Sequence, residues 1–306
     1  MTNGRPGMQD LAGKTAFITG GGSGIGLGIA KVLAREGMHV AVADVRQESV
    51  DHTTASLGVD GRRALGIVLD VTDRKAFAEA AHEVEQVMGP LHVLCCNAGV
   101  CEPGRIKDAE YADWDWIMGV TLGGVVNGIR AFLPGMLRHG QPGHVLATAS
   151  MAGLVPRAHG GIYSVGKAAV VGLIEALRME LASTRLGVSV ICPGATRTNI
   201  GTTPALRPAR FQVAGRPGLL ADAPPSPEVL GLRQEMQRLA MDPLEVGEKV
   251  LRGMRRNDLY ILPHAEFARE IRGHMDDIIA AMPPSSAGSV PATTFPTPYA
   301  TALGSG

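Results

Sequence analysis

Residues 14–26 of the 306-residue chain read KTAFITGGGSGIG, and this stretch decides the fold. Lys14 to Thr19 form a short run of mostly apolar and β-branched residues, which is typical of a buried strand. Glycines follow at once, and the segment GIGLGIAKVLAREG after them repeats apolar residues at helical spacing. The stretch therefore predicts a strand, a glycine-rich loop and a helix in direct succession.

The same alternation of strand and helix continues along the chain. Val-, Ile- and Leu-rich runs recur without in-out alternation, as expected for parallel strands covered on both faces. Strands that alternate with helical segments indicate a doubly wound parallel sheet, so the predicted fold class is α/β, Rossmann-like, in a single domain. The further predicted strands are His39 to Asp44, Ala64 to Asp70, Leu91 to Cys96, Gly143 to Ala149, Gly187 to Cys192 and Asp258 to Pro263.

The helical pattern also gives the organisation of the second half. Long helices are predicted over Trp114 to Arg138 and Ile162 to Thr184. Between Pro193 and Pro243 prolines and glycines interrupt the pattern, which predicts an inserted helical substrate lid at about residues 196–243. The predicted organisation is a flexible leader (1–10), a dinucleotide-binding catalytic domain (11–263), a C-terminal helix (264–282) and a Pro/Ser/Ala/Thr-rich tail (283–306) that is disordered or an arm on a neighbouring subunit.

Composition excludes several classes of protein. Lys plus Arg and Asp plus Glu number 29 each, so no net charge attracts nucleic acid or an anionic membrane. No run of 18 or more uninterrupted apolar residues predicts a membrane span. Four cysteines without zinc-ligand spacing, and no secretory leader, predict a reduced cytoplasmic protein without disulfides or a metal site. A small-molecule partner is expected.

A dinucleotide site is expected at the glycine loop. Glycines let the backbone approach a pyrophosphate, and the following helix offers free N–H groups and partial positive charge. The spacing is G-x-x-x-G-x-G through Gly20, Gly24 and Gly26. Asp44 follows Gly26 by 18 residues, where a carboxylate meets the adenosine ribose hydroxyls and repels a 2′-phosphate. NAD is therefore expected, while Arg46 keeps NADP open because its guanidinium can turn toward a phosphate.

A second group of residues predicts proton-transfer chemistry. Tyr163 and Lys167 lie four residues apart on a predicted helix, so their side chains share one face. A free tyrosine has a pKa of about 10, and a neighbouring ammonium is expected to lower that pKa and make the phenol a general acid or base. Ser150 ends the strand GHVLATAS at the sheet edge where ligands of such folds bind. A serine nucleophile is disfavoured because TASMAG is not a G-x-S-x-G elbow.

These motifs together resemble the short-chain dehydrogenase/reductase family over about Leu11 to Pro263. TGGGSGIG, NAG (Asn97 to Gly99), Ser150, the Tyr163/Lys167 pair and PGATRT (Pro193 to Thr198) stand in that family's order and approximate spacing. The resemblance implies that Tyr163 exchanges the proton, that Lys167 holds the nicotinamide ribose and lowers the pKa of the tyrosine, and that Ser150 orients the substrate oxygen.

The resemblance also implies the cofactor contacts. Asp70 and Val71 are expected at the adenine, Asn97 at the adenosine ribose, and Thr196 and Thr198 at the nicotinamide carboxamide. The full set of expected cofactor contacts is Gly20, Ser23, Gly24, Ile25, Gly26, Asp44, Asp70, Val71, Asn97, Tyr163, Lys167, Thr196 and Thr198.

One position departs from the family pattern. In WIMGVTLGGVVNG the family usually has an asparagine where this chain has Thr121. That asparagine takes part in a proton relay from the lysine to solvent, so the threonine implies an altered relay. Asn127 lies six residues further on, roughly 120° around an ideal helix, and is a poor substitute.

The expected activity is NAD-dependent interconversion of a secondary alcohol and its ketone. Segments such as GQPGHVL, LRPARF and LYILPH resemble a long-tailed subgroup that includes benzylic alcohol dehydrogenases of lignin-derived aryl ethers. A bulky or aryl alcohol is expected for that reason. Two alternatives remain open, an NADP-dependent ketone or 3-oxoacyl thioester reductase and a non-catalytic dinucleotide-sensing protein. The family implies a homo-oligomer, either a tetramer or a dimer.

Overall fold

The computed structural model describes residues 7–57, 63–156, 158, 160–215 and 238–283. Most of the predicted leader, residues 216–237 of the predicted lid and residues 284–306 of the predicted tail lie outside this part of the chain. We call residues 196–215, the first part of the predicted lid, the lid segment.

Seven parallel strands form one sheet in the described residues, in the order β3-β2-β1-β4-β5-β6-β7. The order reverses between β1 and β4, which is the topological switch point of a doubly wound fold. The predicted fold class is confirmed. The strands are β1 (Thr15–Thr19), β2 (His39–Asp44), β3 (Ala64–Val68), β4 (Leu91–Cys96), β5 (Gly143–Thr148), β6 (Leu186–Ile191) and β7 (Tyr260–Ile261).

Helices connect these strands and are bounded by recognisable caps. Asp73 accepts hydrogen bonds from two backbone N–H groups at the start of α3, and Asp242 precedes α8 with Pro243 at its first position. Gly140 ends α5 in the left-handed conformation. The helices are α1 (Gly24–Arg35), α2 (Gln47–Leu57), α3 (Arg74–Met88), α4 (Tyr111–Met118), α5 (Gly124–His139), α6 (Met151–Leu154), α7 (Gly161–Glu180), α8 (Pro243–Arg256) and α9 (Ala268–Ala280).

Two apolar layers cover the two faces of the sheet. One layer packs α3, α5 and α7 against the strands, and Phe17, Phe77 and Phe132 meet there with ring centroids 4.6 to 6.4 Å apart. The other layer packs α1 and α8 against the opposite face through residues such as Leu33 and Val250. Both faces of the central strands are therefore buried, which explains their continuous apolar sequences.

The long helix predicted at Trp114 to Arg138 is present as the helical run Tyr111–His139, but its geometry changes from α to π in the middle. A five-residue π-helical turn, Gly119–Gly123, separates α4 from α5. Its N- and C-terminal residues are glycines, and the next glycine, Gly124, packs against the side chain of Val71. The run Tyr111–His139 is long and apolar enough to cross a membrane by length and composition alone. Since Phe132 lies buried in the core of the domain, we interpret the run as core helices.

Other predicted boundaries differ modestly. The predicted strand Asp258 to Pro263 pairs only at Tyr260–Ile261, because β7 is an edge strand. The lid segment consists of short 3₁₀ turns, Ile200–Leu206 and Ala209–Phe211, separated by extended residues. Prolines at 204 and 208 remove backbone donors there, which disfavours regular helix.

Candidate active site

The glycine loop after β1 adopts a backbone that only glycine accommodates well. Gly20 and Gly24 have φ angles of +63° and +53°, in the left-handed region. At Gly26 a Cβ atom would lie 2.2 Å from the carbonyl oxygen of Gly20, so a side chain is excluded. The loop brings the backbone of β1 close to the first turn of α1, as the G-x-x-x-G-x-G spacing predicts.

The N-terminus of α1 is open to an anion. Ser23 is the N-cap residue but makes no side-chain cap hydrogen bond, and its Oγ instead accepts one from Arg46 Nη2 at 3.1 Å. The first-turn N–H groups of a helix have no partner within the helix, and the helix dipole favours negative charge there. The start of α1 therefore suits a pyrophosphate.

Asp44 ends β2 beside this loop and is 8 % exposed. Its Oδ2 accepts a hydrogen bond from the Gly22 N–H at 3.2 Å, and its Oδ1 accepts from Arg46 Nε at 3.4 Å. Arg46 thus bridges Asp44 and Ser23 instead of projecting freely. A buried carboxylate at this position suits a ribose diol.

Asn97 fixes the glycine loop to the sheet. Its Nδ2 donates to the carbonyl oxygens of Thr19 and Gly20 at 3.1 and 3.3 Å, and its Oδ1 accepts from Thr148 Oγ1 at 3.0 Å. The side chain links the carboxyl ends of β1, β4 and β5. Asn97 therefore shapes the site, and its expected contact with a ribose stays a prediction.

Ser150, Tyr163 and Lys167 meet at the same edge of the sheet. Ser150 follows β5 and caps α6, where its Oγ accepts from the Ala152 N–H at 3.1 Å. The Tyr163 hydroxyl is hydrogen-bonded to the Ser150 side chain. Lys167 Nζ lies 5.6 Å from the centre of the Tyr163 ring and donates to the Thr148 carbonyl oxygen at 2.7 Å. The structure brings the three predicted catalytic residues together.

Burial is the main cause of the pKa shifts of Tyr163 and Lys167. It raises the pKa of the Tyr163 phenol above its ordinary value, with a smaller contribution from Cys101, while the Ser150 hydrogen bond acts in the opposite direction. The expectation that Lys167 lowers the pKa of this phenol is not met, because burial raises the pKa and the group that acts to lower it is Ser150. Burial also lowers the pKa of Lys167 to about 8, so its amine is mainly protonated at neutral pH. The phenol is therefore held in its protonated form next to a buried cation.

Asp70 and Val71 lie after β3, close to α5. Val71 is buried, and its carbonyl oxygen accepts from Asn127 Nδ2 at 2.8 Å. Asp70 accepts from Arg210 Nη2 of the lid segment at 2.7 Å. Burial acts to raise the pKa of Asp70, but the hydrogen bonds from Arg210 and Thr72 outweigh it, and the pKa lies below its ordinary value. Asp70, which is expected to contact the adenine, is thus a carboxylate paired with Arg210 of the lid segment.

Thr196 and Thr198 lie in the loop that follows β6, and this loop contacts the glycine loop at Gly24. The side chain of Thr198 packs against Gly24, where an added Cβ would lie 2.9 Å from Thr198 Cγ2. Thr196 forms an isolated parallel bridge with Met241. The loop that carries both threonines therefore lies against the start of α1, and the expected contact of the threonines with the carboxamide stays a prediction.

Thr121 lies in the π-helical turn next to α7. It is 1 % exposed, and its hydroxyl has no hydrogen-bond partner among the described residues. Its methyl group packs beside Gly166, one residue before Lys167. Asn127 faces Val71 and does not replace the missing amide.

Sequence reasoning missed a buried ion cluster that holds the lid segment. Arg207 Nη1 contacts Asp113 Oδ1 at 2.6 Å and Glu102 Oε2 at 3.1 Å, and all three side chains are at most 8 % exposed. The Arg207 guanidinium also lies over the Trp116 ring, 5.3 Å from its centre. Nearby, Thr203 Oγ1 accepts from the Cys101 N–H at 2.9 Å. No local pattern signals these pairs, since their members are far apart in the sequence.

Comparison with known proteins agrees with this geometry. Residues 14–206 match the family described as short chain dehydrogenase. A C alpha-dehydrogenase from Sphingobium sp. strain SYK-6 is 39% identical over 278 residues, which cover 90% of this chain and 89% of the relative.

Solved structures give the same result. A short-chain dehydrogenase/reductase from Burkholderia phymatum in complex with NAD has a TM-score of 0.81 at 30% identity, covering 92% of this chain and 100% of the other. The apo form of LigO from Sphingobium sp. strain SYK-6 has a TM-score of 0.74 at 39% identity, covering 90% and 91%. With the glycine loop, the Ser150, Tyr163 and Lys167 group and these matches, the chain belongs to the short-chain dehydrogenase family of oxidoreductases.

Proposed function

We propose that the protein is an NAD-dependent oxidoreductase that interconverts a secondary alcohol and its ketone, with Tyr163 as the general acid and base. One observation carries the proposal. The Tyr163 phenol is hydrogen-bonded to Ser150 beside the buried Lys167, at the sheet edge that also holds the glycine loop. A proton donor and a hydroxyl for the substrate oxygen thus lie at the same sheet edge as the glycine loop, where ligands of such folds bind.

The glycine loop fits NAD. Gly26 excludes a side chain where a pyrophosphate would approach, and the first turn of α1 has no side-chain cap. Together with Gly20, Ser23, Gly24 and Ile25, this turn would hold the pyrophosphate, Asp44 would hold the adenosine ribose, and Thr196 and Thr198 would hold the carboxamide. When bound, NAD supplies the hydride acceptor or donor, and the positive charge of its oxidised ring favours the phenolate of Tyr163.

The side chains of the site account for the proton. The high pKa of the buried Tyr163 phenol keeps it protonated, so in the direction of ketone reduction it donates its proton to the substrate oxygen. Ser150 orients that oxygen through its hydroxyl. The Lys167 ammonium, 5.6 Å from the centre of the Tyr163 ring, is assigned the role of stabilising the phenolate that the transfer leaves behind.

The contacts of Arg46 favour NAD over NADP. Its guanidinium is occupied by Asp44 and Ser23, and the Asp44 carboxylate would repel a 2′-phosphate. An NADP-dependent reductase would require Arg46 to leave both partners. The NADP alternative is therefore the weaker candidate.

A bulky or aryl secondary alcohol is the proposed substrate class. The relative from Sphingobium is a C alpha-dehydrogenase. In this chain Ile162, directly before Tyr163, packs in an apolar cluster with Trp116 and with Phe211 of the lid segment. Aromatic and aliphatic side chains next to the reacting group suit an apolar substrate larger than a short-chain alcohol.

The test is NADH formation, followed by absorbance, with NAD and a panel of aryl and aliphatic secondary alcohols. Aryl alcohols such as 1-arylethanols should give the highest kcat/KM, and NADP should give a kcat/KM at least tenfold lower. Equal or better use of NADP would refute the cofactor assignment. Binding of NADH without turnover of any alcohol or ketone would instead support the non-catalytic sensing alternative.

The oligomeric state of the protein is inferred from the family, and its cellular location from its sequence composition. We propose a cytoplasmic homo-oligomer, a tetramer or a dimer, because the family commonly assembles in this way. Sedimentation of the purified protein at two concentrations tests the assembly, and a mass equal to one chain would refute it.

A further inference from the structure

His264 contacts the loop that follows β6 from a distant part of the sequence. It stands after β7, just beyond the predicted catalytic domain, and is 6 % exposed. Its Nδ1 accepts a hydrogen bond from the Gly194 N–H at 3.0 Å, and its Nε2 lies 3.0 Å from the Ala195 carbonyl oxygen. One imidazole therefore binds one backbone group from each of two consecutive loop residues.

These two contacts fix the protonation pattern of the ring. A backbone N–H can only donate, so Nδ1 must carry a free lone pair. A carbonyl oxygen can only accept, so Nε2 must carry the hydrogen. The neutral Nε2–H form of His264 is the form that satisfies both loop groups, and losing the Nδ1 contact would remove the hydrogen bond of the half-buried Gly194 N–H.

Packing leaves the loop little freedom to shift. A Cβ at Gly194 would lie 2.6 Å from Phe267 Cε2 and 3.1 Å from His264 Cγ. The Phe267 ring meets the imidazole edge-on, with centroids 6.4 Å apart. On another side the Met241 N–H donates to the Ala195 oxygen at 3.0 Å. The loop that follows β6 is thus held between residues 240–242 on one side and residues 264–267 on the other.

We propose that His264 is a positioning residue for the cofactor loop Pro193 to Thr198. By binding Gly194 and Ala195, it holds the backbone directly before Thr196 and Thr198, and Thr198 packs against Gly24 at the start of α1. The proposal rests on the proposed function, because it assigns this loop to the nicotinamide end of NAD. It also makes the segment after β7 a functional part of the catalytic domain.

Three substitutions separate the two contacts. His264→Phe keeps the ring shape and removes both hydrogen bonds. His264→Asn places an amide oxygen near the Nδ1 position, and His264→Gln places an amide nitrogen near the Nε2 position, so each can retain one contact. A matched control is His139→Phe, since His139 Nε2 also binds a backbone carbonyl, that of Leu91 at 2.8 Å, but far from the loop.

The first measurement is NADH affinity by fluorescence titration, with kcat measured beside it. We expect His264→Phe to weaken NADH binding about tenfold, which corresponds to about 1.4 kcal/mol. His264→Asn and His264→Gln should each recover part of the loss, and His139→Phe should leave the Kd unchanged. Unchanged Kd and kcat in His264→Phe, or a loss in His139→Phe as large as in His264→Phe, would overturn the proposal.

The second measurement is hydrogen–deuterium exchange of the peptide containing residues 193–198, without cofactor. Exchange should be faster in His264→Phe than in wild type and in His139→Phe. Unchanged exchange would overturn the positioning role whatever the activity. If instead wild type binds no NADH while loop exchange still depends on His264, the proposed function fails and the structural link between His264 and the loop stands.

Discussion

The glycine loop and the lid segment both lie at the carboxyl edge of the sheet, but they are held in different ways. In the glycine loop the conformation is local, because Gly20 and Gly24 adopt positive φ angles and Gly26 leaves no room for a side chain. The lid segment is held by side chains from elsewhere. Arg207 reaches partners 94 and 105 residues away, and Thr203 binds Cys101 across 102 residues.

Because the two regions are held differently, substitutions in them should separate effects on function from effects on stability. Substitutions in the glycine loop should act first on cofactor binding, because the loop carries few side chains that pack elsewhere. Substitutions in the ion cluster of the lid segment should act first on stability and on substrate binding, because they separate buried charges that contact each other. Substitution of the catalytic tyrosine should change neither cofactor binding nor stability.

The largest expected effect is that of Tyr163→Phe. Removing the phenolic hydroxyl deletes the general acid and base, so kcat should fall by roughly 10²–10⁴-fold. The Kd for NADH and the melting temperature should change little, since the ring remains. A variant that retained near-normal kcat would refute the role of Tyr163 as general acid and base.

Arg207→Met should destabilise the protein most among the substitutions in the lid segment. It leaves Glu102 and Asp113 buried without this guanidinium, and breaking a buried ion pair in this way costs about 3–5 kcal/mol. The free energy of unfolding from urea titration should fall, and KM for the alcohol should rise.

The control for Arg207 is Arg105→Met. Arg105 contacts Asp108 at a similar distance, 2.6 Å, but its side chain is 56 % exposed, so little change in unfolding is expected. If Arg207→Met and Arg105→Met lowered the free energy of unfolding equally, burial of the ion cluster would not contribute to stability. The lid segment would then not be held by buried side-chain contacts in the way described above.

Gly26→Ala tests whether the glycine loop acts mainly on cofactor binding. An added Cβ would contact the Gly20 carbonyl oxygen, and forcing extra volume into a packed site costs roughly 1–3 kcal/mol. NADH affinity should fall more than the stability of the fold, as measured by titration and urea unfolding. Gly172→Ala is the matched control, because Gly172 is exposed in α7 and an added Cβ would have no neighbouring atom within 4 Å among the described residues. That substitution should stabilise the helix by about 0.5–1 kcal/mol.

The smallest expected effects are those at Thr121. Its buried hydroxyl has no partner among the described residues, so Thr121→Val should raise the free energy of unfolding by up to about 1 kcal/mol. Thr121→Asn, which restores the residue usual in the family, should keep or raise kcat. A large loss of kcat in either variant would show that the threonine hydroxyl is required for proton transfer.

Much of the fold followed from patterns that act over short distances. The Val- and Ile-rich strands and the helices between them indicated the doubly wound sheet, because burial on both faces leaves a continuous apolar signature. The π-helical turn within the long helix was not predicted, since Gly119, Gly123 and Gly124 are compatible with α-helical as well as with π-helical geometry. The short pairing of β7 was missed for a similar reason, because β7 is an edge strand and its length depends on what lies beside it.

The candidate site divides in the same way. Sequence spacing identified Ser150, Tyr163 and Lys167 as a group, and the structure brings them together. The direction of the shift in the pKa of Tyr163 was not predictable, because it depends on how deeply the phenol is buried and not on the four-residue spacing to Lys167. The contacts of Arg207 and His264 were also missed, since their partners are distant in sequence.

By itself, the sequence determined the strand-loop-helix unit, the positions at which glycine is needed and the identity of the chemical groups at the sheet edge. These depend on backbone sterics and on hydrophobic periodicity, which act between near neighbours. Tertiary structure alone decided which charges are buried together, which loop His264 holds and how far burial moves the pKa values of Tyr163 and Lys167. Those properties depend on the desolvation and distance of groups that only the folded chain brings into contact.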